Sequence, residues 1–115
     1  MNRLILADNQ AIFRAGAARV LASEDDIRIV AQCENTEKLF AAMDGFRGAI
    51  VVAASSLRPD LPVLLTRIKA LGSRVILVAE NSEHVADEVA ILFDGIVCRN
   101  VDGAELVDCV RRVAR

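Results

Sequence analysis

The chain has 115 residues, 54% of them apolar and 3% aromatic, with fourteen basic against sixteen acidic side chains and a net charge of −2. That length suits one domain able to bury about two thirds of the surface its unfolded chain exposes, on a core of Leu, Val, Ile and Ala. The charge balance argues against a strong sequence-independent hold on nucleic-acid phosphates, and the scarcity of aromatics against a stacking platform for single strands.

Residues 4–7 are a short apolar run ending at Asp8-Asn9-Gln10, beyond which Ile12, Phe13, Gly16, Ala17, Val20 and Leu21 recur at helical spacing. This reads as a strand and a helix. Ile27, Ile29 and Val30 then lead to Cys33 with Arg28 and Gln32 interrupting, the mark of an edge strand. Asn35 and Thr36 suit the N-cap of a short second helix bearing Leu39, Phe40 and Met43 and ended by Asp44-Gly45.

The run Gly48-Ala49-Ile50-Val51-Val52-Ala53-Ala54-Ser55-Ser56 is continuous and apolar up to its serines, with no polar alternation, so it predicts a central strand covered on both faces. Residues 55–60 follow as a loop. Pro59 and Pro62 fit at or before the first turn of a third helix, which presents Leu61, Leu64, Leu65, Ile68 and Leu71 and stops at Gly72. Residues 74–79 form a second unbroken apolar run, hence an inner fourth strand. Asn81 or Ser82 is placed to cap a fourth helix carrying Val85, Val89 and Leu92, with His84 in its first turn, and Gly95-Ile96-Val97-Cys98 makes a fifth strand. Asp102 with Glu105 has the pattern of a capping box before a last helix striped by Leu106, Val110 and Val113.

Five strands alternating with five helices imply a parallel α/β sheet with right-handed crossovers and helices on both faces. A polar second strand belongs at an edge and apolar strands one, three and four inside. The expected fold is therefore a flavodoxin-like, doubly wound (βα)5 sheet of order 2-1-3-4-5, forming one domain over residues 1–115. In such sheets ligands bind beyond the carboxyl ends of the strands.

The three cysteines, Cys33, Cys98 and Cys109, are odd in number and have apolar neighbours. They read as buried free thiols in a reducing compartment. No apolar run approaches the ~18 residues of a membrane span and the N-terminus lacks an export signal, so a soluble cytoplasmic domain without membrane contact is expected.

Ile5-Leu6-Ala7-Asp8-Asn9-Gln10-Ala11-Ile12-Phe13-Arg14-Ala15-Gly16 and Phe93-Asp94-Gly95-Ile96-Val97-Cys98-Arg99-Asn100 carry a resemblance that extends over essentially the whole chain. The sequence resembles the receiver domain of bacterial two-component response regulators, in the NarL/LuxR branch whose members carry a helix-turn-helix domain after the receiver. In that family, two adjacent acidic residues after strand one and a phosphoacceptor aspartate ending strand three hold magnesium. A Thr or Ser after strand four and a Lys after strand five bind the phosphoryl group. Carried over residue by residue, those positions fall on Asp8 and Asn9, Ala54, Ala79 and Arg99, so Asp8 alone is kept.

An alanine methyl cannot attack phosphorus. One carboxylate in place of three leaves magnesium little to bind. The resemblance therefore implies a degenerate receiver, or pseudo-receiver, with no catalytic residue, no cofactor and magnesium binding weak or absent. Its residual pocket is Asp8, Asn9, Ala54, Ala79 and Arg99.

Two readings of the surviving pair stay open. Arg99 takes the place of the missing cation against Asp8, or it points into solvent while Asp8 accepts backbone hydrogen bonds at the head of the first helix. Glu80 reads as a solvated loop residue, with a lean toward the crevice as the alternative; Asp94-Gly95 reads as turn chemistry, and Ser55 and Ser56 as small loop residues, with serine phosphorylation the sharper alternative. Gly16 and Ala17, with Arg111 and Arg112, offer a face for a homodimer, against the alternative of solvated helix faces.

No nucleophile–base pair, glycine-rich phosphate loop or metal cluster is evident, so an enzyme is not expected. The expected function is a regulatory module of a transcriptional regulator that works without aspartyl phosphorylation. It would act through protein–protein interaction, dimerisation or contact with an output domain that alone touches DNA and follows Arg115 in the parent protein. The alternative is a small-molecule-sensing domain using the neutralised crevice above Ala54 and Ala79.

Overall fold

In the computed structural model, which describes residues 1–115, five strands form one parallel sheet in the order β2-β1-β3-β4-β5. The interior strands are β1 (Asn2–Ala7), β3 (Ile50–Ala54) and β4 (Arg74–Ala79); the edges are β2 (Ile27–Cys33) and β5 (Gly95–Cys98). This is the flavodoxin-like order expected from composition. All of β3 is buried, whereas β2 leaves Arg28 and Gln32 in water, as a strand with only one neighbour can.

Alternate strand residues feed two cores. Leu4, Leu6, Val52 and Ile76 pack against Leu21, Leu106 and Val110 of α1 (Ala11–Ala22) and α5 (Gly103–Ala114). On the opposite face, Ile5, Val51 and Val75 meet Leu39, Met43 and Leu64 of α2 (Thr36–Gly45) and α3 (Leu61–Leu71). Side-chain oxygens of Asn35, Asp60 and Asp102 accept the N–H groups of Lys38, Val63 and Glu105 at 2.8, 3.2 and 2.8 Å, which starts α2, α3 and α5. Gly72, at φ 67, closes α3 in the left-handed region. At Gly95 a methyl would lie 3.0 Å from Cys109 Sγ and 3.3 Å from Val113 Cγ2, so only glycine lets α5 seat this closely on β5.

The structure corrects several expectations. The fourth helix is a single turn, α4 (Asp87–Ala90), and neither Asn81 nor Ser82 caps it. Asn81 Oδ1 instead accepts the Asn100 N–H at 3.0 Å, and the Glu83 carboxylate accepts the Glu80 N–H at 2.9 Å, so the residues that would open a helix close a loop. His84 lies exposed in that loop rather than in a helical turn. Ile12 belongs to α1 but is 92% exposed, on the side away from the sheet. Cys33 and Cys109 are buried free thiols, whereas Cys98 is exposed because β5 has no neighbour beyond it.

Of the residues expected at a dimer face, one lies in the core and three do not. Ala17 is buried in the core beneath α1, and Arg111 is held by Asp26 and Glu24 of its own chain, at 3.0 and 2.8 Å. Gly16 and Arg112 remain at the surface. No helix is long and apolar enough to cross a membrane.

Candidate functional site

The parallel register sets Ala7 beside Ala53, Ala54 beside Val78 and Ala79 beside Cys98, so the residues just beyond these strand ends lie side by side. Four of them meet in one crevice: Asp8 after β1, Ser56 after β3, Glu80 after β4 and Arg99 after β5. Arg99 is the hub. Its guanidinium grips Asp8 through two parallel contacts, Nη2 to Oδ1 at 3.1 Å and a tighter one from Nη1 to Oδ2. Nε donates to Glu80 Oε1 at 3.1 Å, and Nη2 also donates to Ser56 Oγ at 3.0 Å.

The Phe13 ring lies against the guanidinium, its centroid 4.7 Å from Cζ. Only 9% of the Arg99 side chain and 6% of that of Asp8 is exposed. A planar fork of five donors suits this arrangement, because it can satisfy two carboxylates and a hydroxyl at once. Burial disfavours the Arg99 charge, but the hydrogen bonds and charges of Asp8 and Glu80 outweigh it and leave the guanidinium above its ordinary pKa.

Asp8 does not have to choose between its two expected roles. Its Oδ1 also accepts the Gln10 N–H at 2.8 Å at the entry to α1, and its backbone carbonyl accepts from Arg14 Nη1 at 2.5 Å. Asn9 joins through Ser56, whose hydroxyl donates to Asn9 Oδ1 at 2.6 Å. Ala54 and Ala79 are buried at the strand ends, and the Ala79 carbonyl accepts the Arg99 N–H at 3.1 Å.

Glu80 and Ser56, read from the sequence first as a solvated residue and a small loop residue, are both members of the network. The signal available was position alone, since each sits just past a strand's carboxyl end. Asp94 also does more than shape a turn. Its Oδ2 accepts the Val75 N–H at 2.8 Å while its own N–H reaches the Val75 carbonyl at 2.9 Å, a two-way clamp where β5 joins β4.

The donor set does not fit magnesium. Both Asp8 oxygens are engaged by Arg99, and no three His, Cys, Asp or Glu side chains converge to hold a metal ion. The Ser56 hydroxyl faces an amide and a guanidinium, neither of which is a general base. On the Arg99 side the crevice is polar, held by Asp8, Ser56 and Glu80, so the apolar pocket expected above Ala54 and Ala79 is found only in part. A cavity of 340 Å³ lies beside this polar side, between the ends of β3 and β4, α3 and the segment before α4; Ala54 lines it and Ala79 does not.

No family model and no curated protein matches the chain. Solved structures do. A LuxR-family DNA-binding response regulator from Staphylococcus aureus superposes with a TM-score of 0.82 at 22% identity, covering 100% of both chains. The signal receiver domain of the response regulator NarL from Mycobacterium tuberculosis gives 0.78 at 17% identity, over 96% of each chain. RcsB from Salmonella enterica serovar Typhimurium, solved bound to promoter rprA with the phosphomimetic BeF3−, gives 0.82 at 19%, over 99% of this chain and 61% of its own. The fold is that of response-regulator receiver domains. At such identities the likeness speaks for the fold, and the chemistry has to be argued from the residues of this chain.

Proposed function

We propose that this chain is a receiver-like signalling module of a NarL/LuxR-type transcriptional regulator that works without aspartyl phosphorylation. One observation carries the reading: Arg99 is locked onto Asp8 in the crevice where receivers of this fold would hold magnesium and a phosphoryl group, and the strand end beside it is Ala54. A guanidinium in that place supplies the positive charge that a cation would bring, and it cannot leave without stranding a buried carboxylate. The module is thereby held in one state by its own side chains. Its output passes through contact with another protein surface, a second copy or a helix-turn-helix domain following Arg115, and DNA is touched by that domain only. The DNA-binding S. aureus regulator and promoter-bound RcsB, both of this fold, support that arrangement.

Incubation with acetyl phosphate, or with beryllium fluoride and magnesium, is expected to leave intact mass, sedimentation and thermal melt unchanged. A phosphoryl adduct, or a magnesium-dependent change of oligomeric state, overturns the reading. The 340 Å³ cavity favours a second reading, in which a small molecule supplies the input that phosphorylation does not.

A further inference from the structure

We infer that the cavity beside the crevice is a binding site for a small, mainly apolar carboxylate. The sequence builds this cavity in two ways. Its floor ends in alanines, Ala53 and Ala54, where larger side chains would fill the space, and α4 is cut to one turn, so residues 80–86 run past as a loop instead of packing down as a helix. Leu64, Leu77, Val85 and Phe93 complete an apolar interior. A volume of 340 Å³ falls at the small end of the range for ligand pockets, which suits a metabolite of a few carbons and is tight for a nucleotide.

The polar part of the lining selects charge. Of the Glu83 carboxylate, Oε1 accepts from the Ser55 hydroxyl at 2.6 Å and from the Glu80 N–H at 2.9 Å. The cation of the lining is Arg58. It is exposed at the same cavity, and its guanidinium makes no hydrogen bond or ion pair within the chain, unlike Arg67, Arg99 and Arg111. Its backbone sits in the left-handed region at φ 50, the only non-glycine residue with positive φ, a conformation that disfavours an arginine relative to Gly or Asn. An arginine in a conformation that suits other residues better, beside an apolar cavity and without an internal partner, fits a group that meets a ligand. His84, equally unpaired on the opposite loop, offers a second N–H to the same anion. An apolar tail in the cavity with its carboxylate on the Arg58 fork meets both demands.

The site deepens the second reading above by naming its ligand class, and its role as the input of a phosphorylation-independent module rests on that proposal. Binding itself is read without phosphodonor, so the two fail separately.

The test is 15N-detected titration of the intact domain with hexanoate, benzoate and, as the uncharged control, 1-hexanol. Expected is saturable binding of at least one carboxylate at about 1 mM or below, with shifts clustered on Leu64, Leu77, Val85 and Phe93, and binding of the alcohol about tenfold weaker or more. Arg58→Asn relieves the left-handed strain and so folds at least as well as the parent, yet should bring hexanoate down to the level of hexanol. Ala86→Phe, at the half-buried rim, should abolish both. No saturable shifts up to about 10 mM, equal affinity for alcohol and acid, or unchanged hexanoate binding in Arg58→Asn each overturn the proposal.

Discussion

Arg99 ties together the ends of four strands. The guanidinium is buried against Asp8, donates to Glu80 and Ser56, and is covered on one face by Phe13. Removing one member of such a pair leaves a buried charge without its partner, which costs about 3–5 kcal/mol, whereas replacing both members by apolar groups of similar shape is close to neutral. Arg99→Ala is therefore expected to lose stability on that scale in urea unfolding, and Asp8→Leu combined with Arg99→Met to recover most of it. Arg99→Lys should fall between, because a lysine ammonium keeps the charge but cannot engage both Asp8 oxygens and Glu80 through a planar fork. If Arg99→Ala unfolds at the urea concentration of the parent, the pair is not what holds the crevice closed.

Between elements, the tie most exposed to test is that of α5 to the turn before β2. Arg111 reaches Asp26 at 3.0 Å and Glu24 at 2.8 Å. The hydrogen bond from Arg111, stronger than the opposing effect of burial, holds the Asp26 carboxyl below its ordinary value of 3.8. A carboxylate lowered on folding contributes stability that is present above its unfolded pKa and is lost as pH falls through 3.8 toward the folded value. Asp26→Asn should therefore melt below the parent at pH 7, and the gap should close as the pH falls below 3.8; a gap that stays constant removes the ion pair as its cause. These same elements show what a sequence can disclose. Strands and four helices were legible because burial on one or both faces stamps a period on the residues, as in all-buried β3 against interrupted β2. The fourth helix was misread because its candidate cap, Asn81, is claimed by Asn100 from the far side of β5, a tertiary bond with no local trace. At the site, the positions of Asp8 and Arg99 were legible and their contact was one of two open readings; the register of the strand ends decides it and brings Glu80 and Ser56 beside them.

For the whole molecule, the sheet order and both cores are independent of the crevice chemistry, since Ala54 and Ala79 end strands whose remaining residues are held by packing on either face. The fold should therefore accept a magnesium-binding set of side chains at these strand ends. A variant carrying Asn9→Asp, Ala54→Asp, Ala79→Thr and Arg99→Lys places three carboxylates at the ends of β1 and β3 and withdraws the guanidinium that blocks them. Without divalent ions it should be less stable than the parent, because carboxylates crowded at the strand ends repel one another. Magnesium should reverse this: at about ten times its dissociation constant, binding to the folded form alone adds about 1.4 kcal/mol, which is read as a rising melt that follows the ion concentration. The parent, and the variant without Ala54→Asp, should stay flat or nearly so over the same titration. A magnesium response in the parent would place a metal site where Arg99 and Asp8 close on each other. No response in the full variant would mean that the ends of β1 and β3 do not bring their side chains to one point, against the register of Ala7 with Ala53.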